Sequence, residues 1–451
     1  MLYLQALSPE SSAYHITVAL ALAPGTDIAA LERAFQALVD HHAALRTTFA
    51  VAESLQRVHA SGSAAFSFHA AACDPGELRQ QLLAESERPF DLENGPLLRL
   101  GLFERPDGSS VLLLTVHHLV CDLWSLSLLA RDLGVLYSGL LRDPGEVPRL
   151  EPEKVDFITH VRREREALAG ETGERLWEFW RGELGASGGV ADLDLPTDRP
   201  RPAVQSHSGA MVSARLGGGL AARLRTVARA HAATPHSTLL AALQVLLFRY
   251  SGQERFLVGS PTWGRSSADL WGTVGYFVNP VPLRADLSRE LPAGDALRAA
   301  RETVRRALRH QGFPFPLLAE RMRPVRDPSR SPLFQVLFSW QKPPAFAAQL
   351  AALALGLGGG RLRLGELEAE GIELGVRSAQ FDLSWLAAEP DGELAIAVQY
   401  SDALFDRATV ERMLGHLGAL LAGMVGSPER AIGELPLLSA AERRQLLEEW
   451  G

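Results

Sequence analysis

The residues most able to do chemistry are two adjacent histidines followed at close range by an aspartate: His117, His118 and Asp122, within His117-His118-Leu119-Val120-Cys121-Asp122. A neutral imidazole, with an ordinary pKa of about 6.5, can take a proton or accept a hydrogen bond at neutral pH. Neighbouring residues of a strand point to opposite faces, so His117 and His118 must play different parts. A buried aspartate needs a partner, and Arg46 and Arg284 are the candidates. The pattern alone is weak, since in a chain with 13 histidines a His and an Asp four positions apart also arise by chance. The bland alternative is a pair of strand-end histidines and a helix cap.

The elements that must position these residues strengthen the functional reading. Residues 97–103 and 111–116 read as two strands joined around Pro106-Asp107-Gly108, and the second strand runs directly into His117. From Leu123 to Leu141 the apolar residues recur at helical spacing, so Asp122 stands at a strand-to-helix turn, a place where rigid elements hold functional groups. Upstream, alternating residues 14–22 predict a strand, and 27–41 predict an amphipathic helix capped by Thr26 or Asp27. Helices are expected over 155–168 and 172–184. The Gly/Pro-rich stretch 185–210 marks a lobe boundary near 170–190, after which strand 210–216, helix 219–232, a buried helix 237–250 and strand 255–259 begin a second half. Both halves mix strands and helices without strict βαβ alternation, which predicts an α/β protein of the mixed-sheet, α+β kind.

Composition sets the frame. At 451 residues the chain is long enough for two domains or lobes of roughly 200 residues each. With 47% hydrophobic and 22% charged residues it is globular, and a net charge of -8 without a Lys/Arg block gives no sign of nucleic-acid or membrane binding. Two cysteines, Cys73 and Cys121, form no metal-ligand pattern and fit a reduced, cytoplasmic setting. No metal site is expected, and no apolar run is long enough to span a bilayer.

The sequence from His117 to Ser125 resembles the HHxxxDGxS signature of nonribosomal peptide synthetase condensation domains. Four further segments agree, in the family's order. His42-Ala43-Ala44-Leu45-Arg46-Thr47-Thr48-Phe49 is similar to RHExLRTxF. Val274-Gly275-Tyr276-Phe277-Val278-Asn279 with Leu283-Arg284 is similar to VGxFVN…R. His310-Gln311-Gly312-Phe313-Pro314-Phe315 is similar to HQxxPF, and the segment Arg326 to Leu333 to RDxSRxPL. Asp156-Phe157 matches part of the weaker YxDF motif. Met1 to Leu7 resembles the end of the family's first motif, and Leu435 to Trp450 resembles the linker into an adenylation domain, so the chain reads as an excised fragment.

The resemblance implies two chloramphenicol-acetyltransferase-like lobes forming a V-shaped pseudo-dimer with a central tunnel. The expected division is 1–175 for the lobe carrying the signature, 176–434 for the second lobe, and 435–451 for the start of the linker. The implied reaction is amide formation between an acyl or peptidyl thioester donor and an aminoacyl acceptor. Both are carried on phosphopantetheine arms of upstream and downstream carrier proteins. No cofactor bound by the domain is implied, and the excised domain is expected to be monomeric beside an adenylation domain. By position His118 is the catalytic group, as general base or positioner. His117, Asp122, Arg46 and Arg284 are supporting residues, with Arg46 preferred as the partner of Asp122. Leu123, Trp124, Ser125, Gly275 and Asn279 are assigned to the substrate tunnel, though capping is an equal reading of Ser125. Leu123 stands where the family usually has glycine, which implies an altered substrate shape. Pro280 and Pro316 also depart from the pattern and suggest a subtype, such as one taking a polyketide or fatty acyl donor.

Rival readings are an epimerization domain, disfavoured by the adenylation-type tail, and a variant that dehydrates its substrate. From another class comes a non-catalytic platform recruiting carrier proteins or tailoring enzymes. The intact His118 and Asp122 speak against it.

Overall fold

The computed structural model describes all residues except 1–4, 6–8, 52, 54, 63–66, 73–75, 186–189, 218, 323–326, 439, 446 and 448–451. Cys73, Arg326, most of Met1 to Leu7 and the end of the expected linker therefore lie outside the described residues.

The chain divides into two compact units. The first comprises Met1–Arg165, Arg265–Val278 and Lys342–Gly375; the second comprises Glu166–Gly264, Asn279–Gln341 and Val376–Gly451. This differs from a linear split at 175/176, because two later segments return to the first unit. Leu435 is 2% exposed in the core of the second unit, so the expected linker begins inside a packed structure.

The first unit is built on a six-stranded sheet, in the order Arg361–Leu364, Leu367–Ile372, His15–Leu22, Ser110–His117, Leu98–Glu104, Ser67–Ala72. All pairs are antiparallel but the last, which is parallel. The strand Ser110–His117 is central, and its apolar residues Val111, Leu112, Leu113 and Val116 are all at most 1% exposed. Burial on both faces suits a mid-sheet strand. The helix Ile28–His41 starts where the sequence predicts: Asp27 accepts a hydrogen bond from Ala30 N–H at 2.9 Å. It and the helix Leu123–Arg142 bury Leu31, Leu38, Leu129 and Leu136 in one core with Leu98 and Leu100.

The second unit has its own six-stranded sheet, in the order Gly209–Leu216, Leu394–Ser401, Leu383–Ala388, Val336–Trp340, Arg255–Thr262, Asn279–Asp286. Its two central pairings are parallel and the outer ones antiparallel. The helix Pro235–Ser251 is buried continuously from Ser237 to Leu247, matching a stretch that reads as apolar all round. A capping box between Thr234 and Ser237 and a left-handed Gly252 set its two ends. Among the described residues no helix is long and apolar enough to cross a membrane.

Candidate active site

The central strand of the first unit ends at His117, and the helix Leu123–Arg142 begins soon after it. The two histidines diverge as the strand geometry requires. His117 is 0% exposed, packed edge-on against His15 and Phe90, and its Nδ1 accepts a hydrogen bond from Leu119 N–H at 3.1 Å. Burial lowers its pKa to about 3, so it stays neutral and structural.

His118 lies on the other face and keeps part of its surface exposed. Its backbone N–H donates to Tyr14 O at 2.8 Å, and its Nδ1 lies 2.7 Å from Cys121 O. A carbonyl oxygen can only accept, so Nδ1 carries the proton and Nε2 presents its lone pair. Burial in packed protein lowers the imidazole pKa from its ordinary value, against the opposing pull of the Cys121 carbonyl and Asp122. Neutral, pinned at one nitrogen and basic at the other, the ring is arranged to accept a proton or orient a donor.

Asp122 caps the helix and is 1% exposed. Its Oδ1 accepts from Ser125 N–H at 2.7 Å, and its Oδ2 accepts from Phe277 N–H at 3.2 Å. Arg265 completes the shell, Nη1 to Oδ2 at 2.8 Å and Nη2 to Oδ1 at 3.2 Å, with its own side chain 2% exposed. With both oxygens engaged twice, the carboxylate has no free lone pair to take up a substrate proton. The expectation of Arg46 or Arg284 as its partner is corrected. Arg46 donates instead to the carbonyls of Val39 and His59. Arg284 pairs with Asp286 at 3.1 Å in the second unit. Arg265 lies 143 residues beyond Asp122, in an exposed stretch without periodicity, so nothing in the spacing points to it.

The other expected site residues separate. Ser125 is fully buried, and its Oγ donates to Gly275 O at 2.8 Å while accepting from Gly275 N–H at 3.0 Å and Arg265 Nη2 at 2.9 Å. It is spent inside the fold and does not line a substrate passage. Gly275 has no room for a side chain, since a Cβ there would run into the Phe157 ring. Trp124 is part-exposed, and its Nε1 donates to Trp271 O at 2.9 Å. Leu123 is also part-exposed and takes the first helical position without a positive φ, so leucine replaces the usual glycine there without strain. Asn279 belongs to the second unit, where its Nδ2 donates to Gln311 O and Phe313 O, both at 2.8 Å, and its Oδ1 accepts from Phe315 N–H at 2.8 Å. It therefore fastens the turn into the helix Phe315–Met322. Cys121 is 0% exposed, and burial raises its thiol pKa well above the ordinary value, so it is no nucleophile.

A further network supports this site. His42, 1% exposed, bridges Asp132 Oδ2 at 3.0 Å and Glu153 Oε1 at 3.2 Å, and those two carboxylates raise its pKa despite burial. Glu153 in turn accepts from Val274 N–H at 3.1 Å. Among the described residues no cluster of three or more His, Cys, Asp or Glu side chains is placed to hold a metal.

Comparison with known proteins is consistent with this geometry. The sequence profile of the family described as Condensation domain matches residues 1–447. One of the linear gramicidin synthase proteins of Brevibacillus parabrevis is 37% identical over 455 residues, covering 99% of this chain but only 6% of that protein. Across three such relatives, all components of linear gramicidin synthase, the chain spans 6% to 9% of the full length. A four-domain nonribosomal peptide synthetase crystallised with AMP and glycine superposes with a TM-score of 0.86 at 25% identity, over 98% of this chain and 33% of that one. The X-domain from teicoplanin biosynthesis gives 0.85 at 28% identity, over 97% and 96%. The expected fold, mixed α/β with two chloramphenicol-acetyltransferase-like lobes, is the one these structures share.

Proposed function

Because the chain belongs to the Condensation domain family of nonribosomal peptide synthetases, whose members form amide bonds, we propose that it is itself an active acyltransferase. Its donor is an acyl or peptidyl thioester on one carrier protein, and its acceptor is the amine of an aminoacyl thioester on another. The carrier proteins, and an adjoining adenylation domain, are its partners in the cytoplasm. The domain needs no cofactor of its own, since the thioesters arrive already activated on phosphopantetheine arms.

The single observation that carries this reading is the contact of His118 Nδ1 with a backbone carbonyl, which sets the tautomer. With Nδ1–H held by Cys121 O at 2.7 Å, Nε2 is the nitrogen left to meet an amine. In the reaction the amine nitrogen attacks the thioester carbonyl carbon, a C–N bond forms and the C–S bond breaks. The donor arm leaves as a thiolate, and the proton shed by nitrogen ends on sulfur. His118 Nε2 accepts that proton or orients it in passing, a contribution typically of about 10²–10⁴-fold. Holding amine and carbonyl together lowers the barrier further through effective concentration. Asp122 and Arg265 take no proton in this scheme; they fix the turn that carries His118.

The experiment is to load donor and acceptor carrier proteins and follow acyl transfer by intact mass. Transfer by the parent, lost in His118→Ala, is expected. Unchanged transfer in that variant would overturn the assignment of His118. No transfer by the parent with matched substrates would instead favour a recruiting platform.

A further inference from the structure

Four of five consecutive residues in the segment that returns to the first unit are fastened by their backbones. Thr273 O accepts from Arg265 Nη2 at 3.2 Å, and the Thr273 hydroxyl donates to Val155 O at 2.6 Å. Val274 N–H donates to Glu153, itself held by His42. Gly275 is gripped at both backbone groups by Ser125 Oγ, and Phe277 N–H donates to Asp122. The fifth residue, Tyr276, contributes its ring, which meets the His118 imidazole edge to face with centroids 5.2 Å apart and planes at 84°.

The geometry points to Tyr276 as the positioning residue of His118, carried on a backbone that Asp122, Ser125 and Glu153 clamp in place. The hydrogen bond to Cys121 O holds the imidazole through one ring nitrogen. The Tyr276 ring bears on it separately, at the edge-to-face geometry that aromatic rings prefer, and so backs the rotamer that this bond selects. Asp122 thereby gains a second link to the reaction centre. Besides capping the helix that follows His118, it holds the peptide group next to Tyr276. The ring also adds to the desolvation of the imidazole, in the direction its lowered pKa shows. The positioning depends on the ring and not on the tyrosine hydroxyl.

The inference rests on the catalytic reading of His118, and two measurements separate the two. In carrier-to-carrier acyl transfer, Tyr276→Phe keeps the ring and stays within about twofold of the parent. Tyr276→Ala and Tyr276→Leu lose it, and kcat falls by up to about tenfold with KM little changed, the range an aromatic pair accounts for. Their acid limb moves up toward the ordinary histidine pKa. Independently of activity, the His118 resonance, assigned by its loss in His118→Ala, titrates at higher pH in the Ala and Leu variants than in the parent. If His118→Ala transfers acyl groups like the parent, the catalytic reading fails, yet the titration still tests Tyr276. An unchanged His118 titration in both the Ala and Leu variants overturns the positioning role, as does a kcat equal to that of Tyr276→Phe.

Discussion

Both units bury an arginine–aspartate pair, and the two pairs serve different ends. In the first unit Arg265 and Asp122 are 2% and 1% exposed, and the carboxylate also takes two backbone N–H groups. In the second, Arg201 donates to Asp382 through both terminal nitrogens and to Ser329 O, with side chains 18% and 5% exposed. Each unit also has a histidine whose pKa is lowered by burial. His118 holds its proton on Nδ1, whereas His236 lies with Nε2 3.2 Å from the buried Ser260 hydroxyl. Burial lowers the pKa of His236 to about 4. A buried ion pair or a perturbed histidine is thus no mark of an active site taken singly. What sets the first unit apart is their adjacency: an imidazole with a defined tautomer stands just before a saturated carboxylate.

That contrast can be broken by experiment. The largest effect is expected from Arg265→Leu, which strands a buried carboxylate. Chemical denaturation should register a loss of about 3–5 kcal/mol, with acyl transfer abolished. Arg201→Leu strands a carboxylate with a less deeply buried partner, and about 1–3 kcal/mol is expected, with transfer retained. Equal losses in both assays would remove the distinction between the pairs. Gly275→Ala forces a methyl into the Phe157 ring; overpacking of this kind costs about 1–3 kcal/mol, and displacement of Tyr276 should slow transfer more than the melting temperature suggests.

Acidity tests the two histidine faces. The folded protein holds the pKa of His117 at about 3 and that of His15 at about 4, below the ordinary 6.5. Between those values and 6.5 the unfolded chain binds more protons, so stability should rise with pH across that window. His117→Asn should flatten the rise in denaturation midpoint; an unaltered slope would exclude His117 as a source. His42 works the other way, because its pKa is raised. Its contribution is complete below 6.5 and fades as pH climbs through the folded value. The smallest effect is expected for Arg46→Ala, at about 1 kcal/mol or less, with transfer within about twofold of the parent. A collapse of transfer there would restore Arg46 as a partner of Asp122.

Local chemistry made much of this legible. The apolar run before His117, the aspartate after it and the helical spacing from Leu123 onward place the turn, because strand burial, capping and helical periodicity each act over a few residues. Asp27 is readable as a cap for the same reason. What the sequence hides is pairing across distance. Arg265 approaches Asp122 from a segment with no pattern of its own, and Ser125 turns its hydroxyl to Gly275, 150 residues away. Asn279 escapes a sequence reading for a related reason: its motif neighbours Gly275 and Phe277 belong to the first unit, and the division falls at 278/279. Tyr276 lies inside a recognised motif at a position the motif leaves open, so only the ring contact reveals its part.

The discontinuous makeup of the first unit bears on how it is assembled during synthesis. When residue 165 leaves the ribosome, the carboxylate of Asp122 has yet to meet its guanidinium. The strand His15–Leu22 likewise has one edge unpaired until Leu367–Ile372 is made. An uncovered edge invites association with other chains, and contacts of such long range form slowly. A fragment ending near 175 should therefore be sticky and incomplete, since the strand that covers this edge comes about 200 residues later.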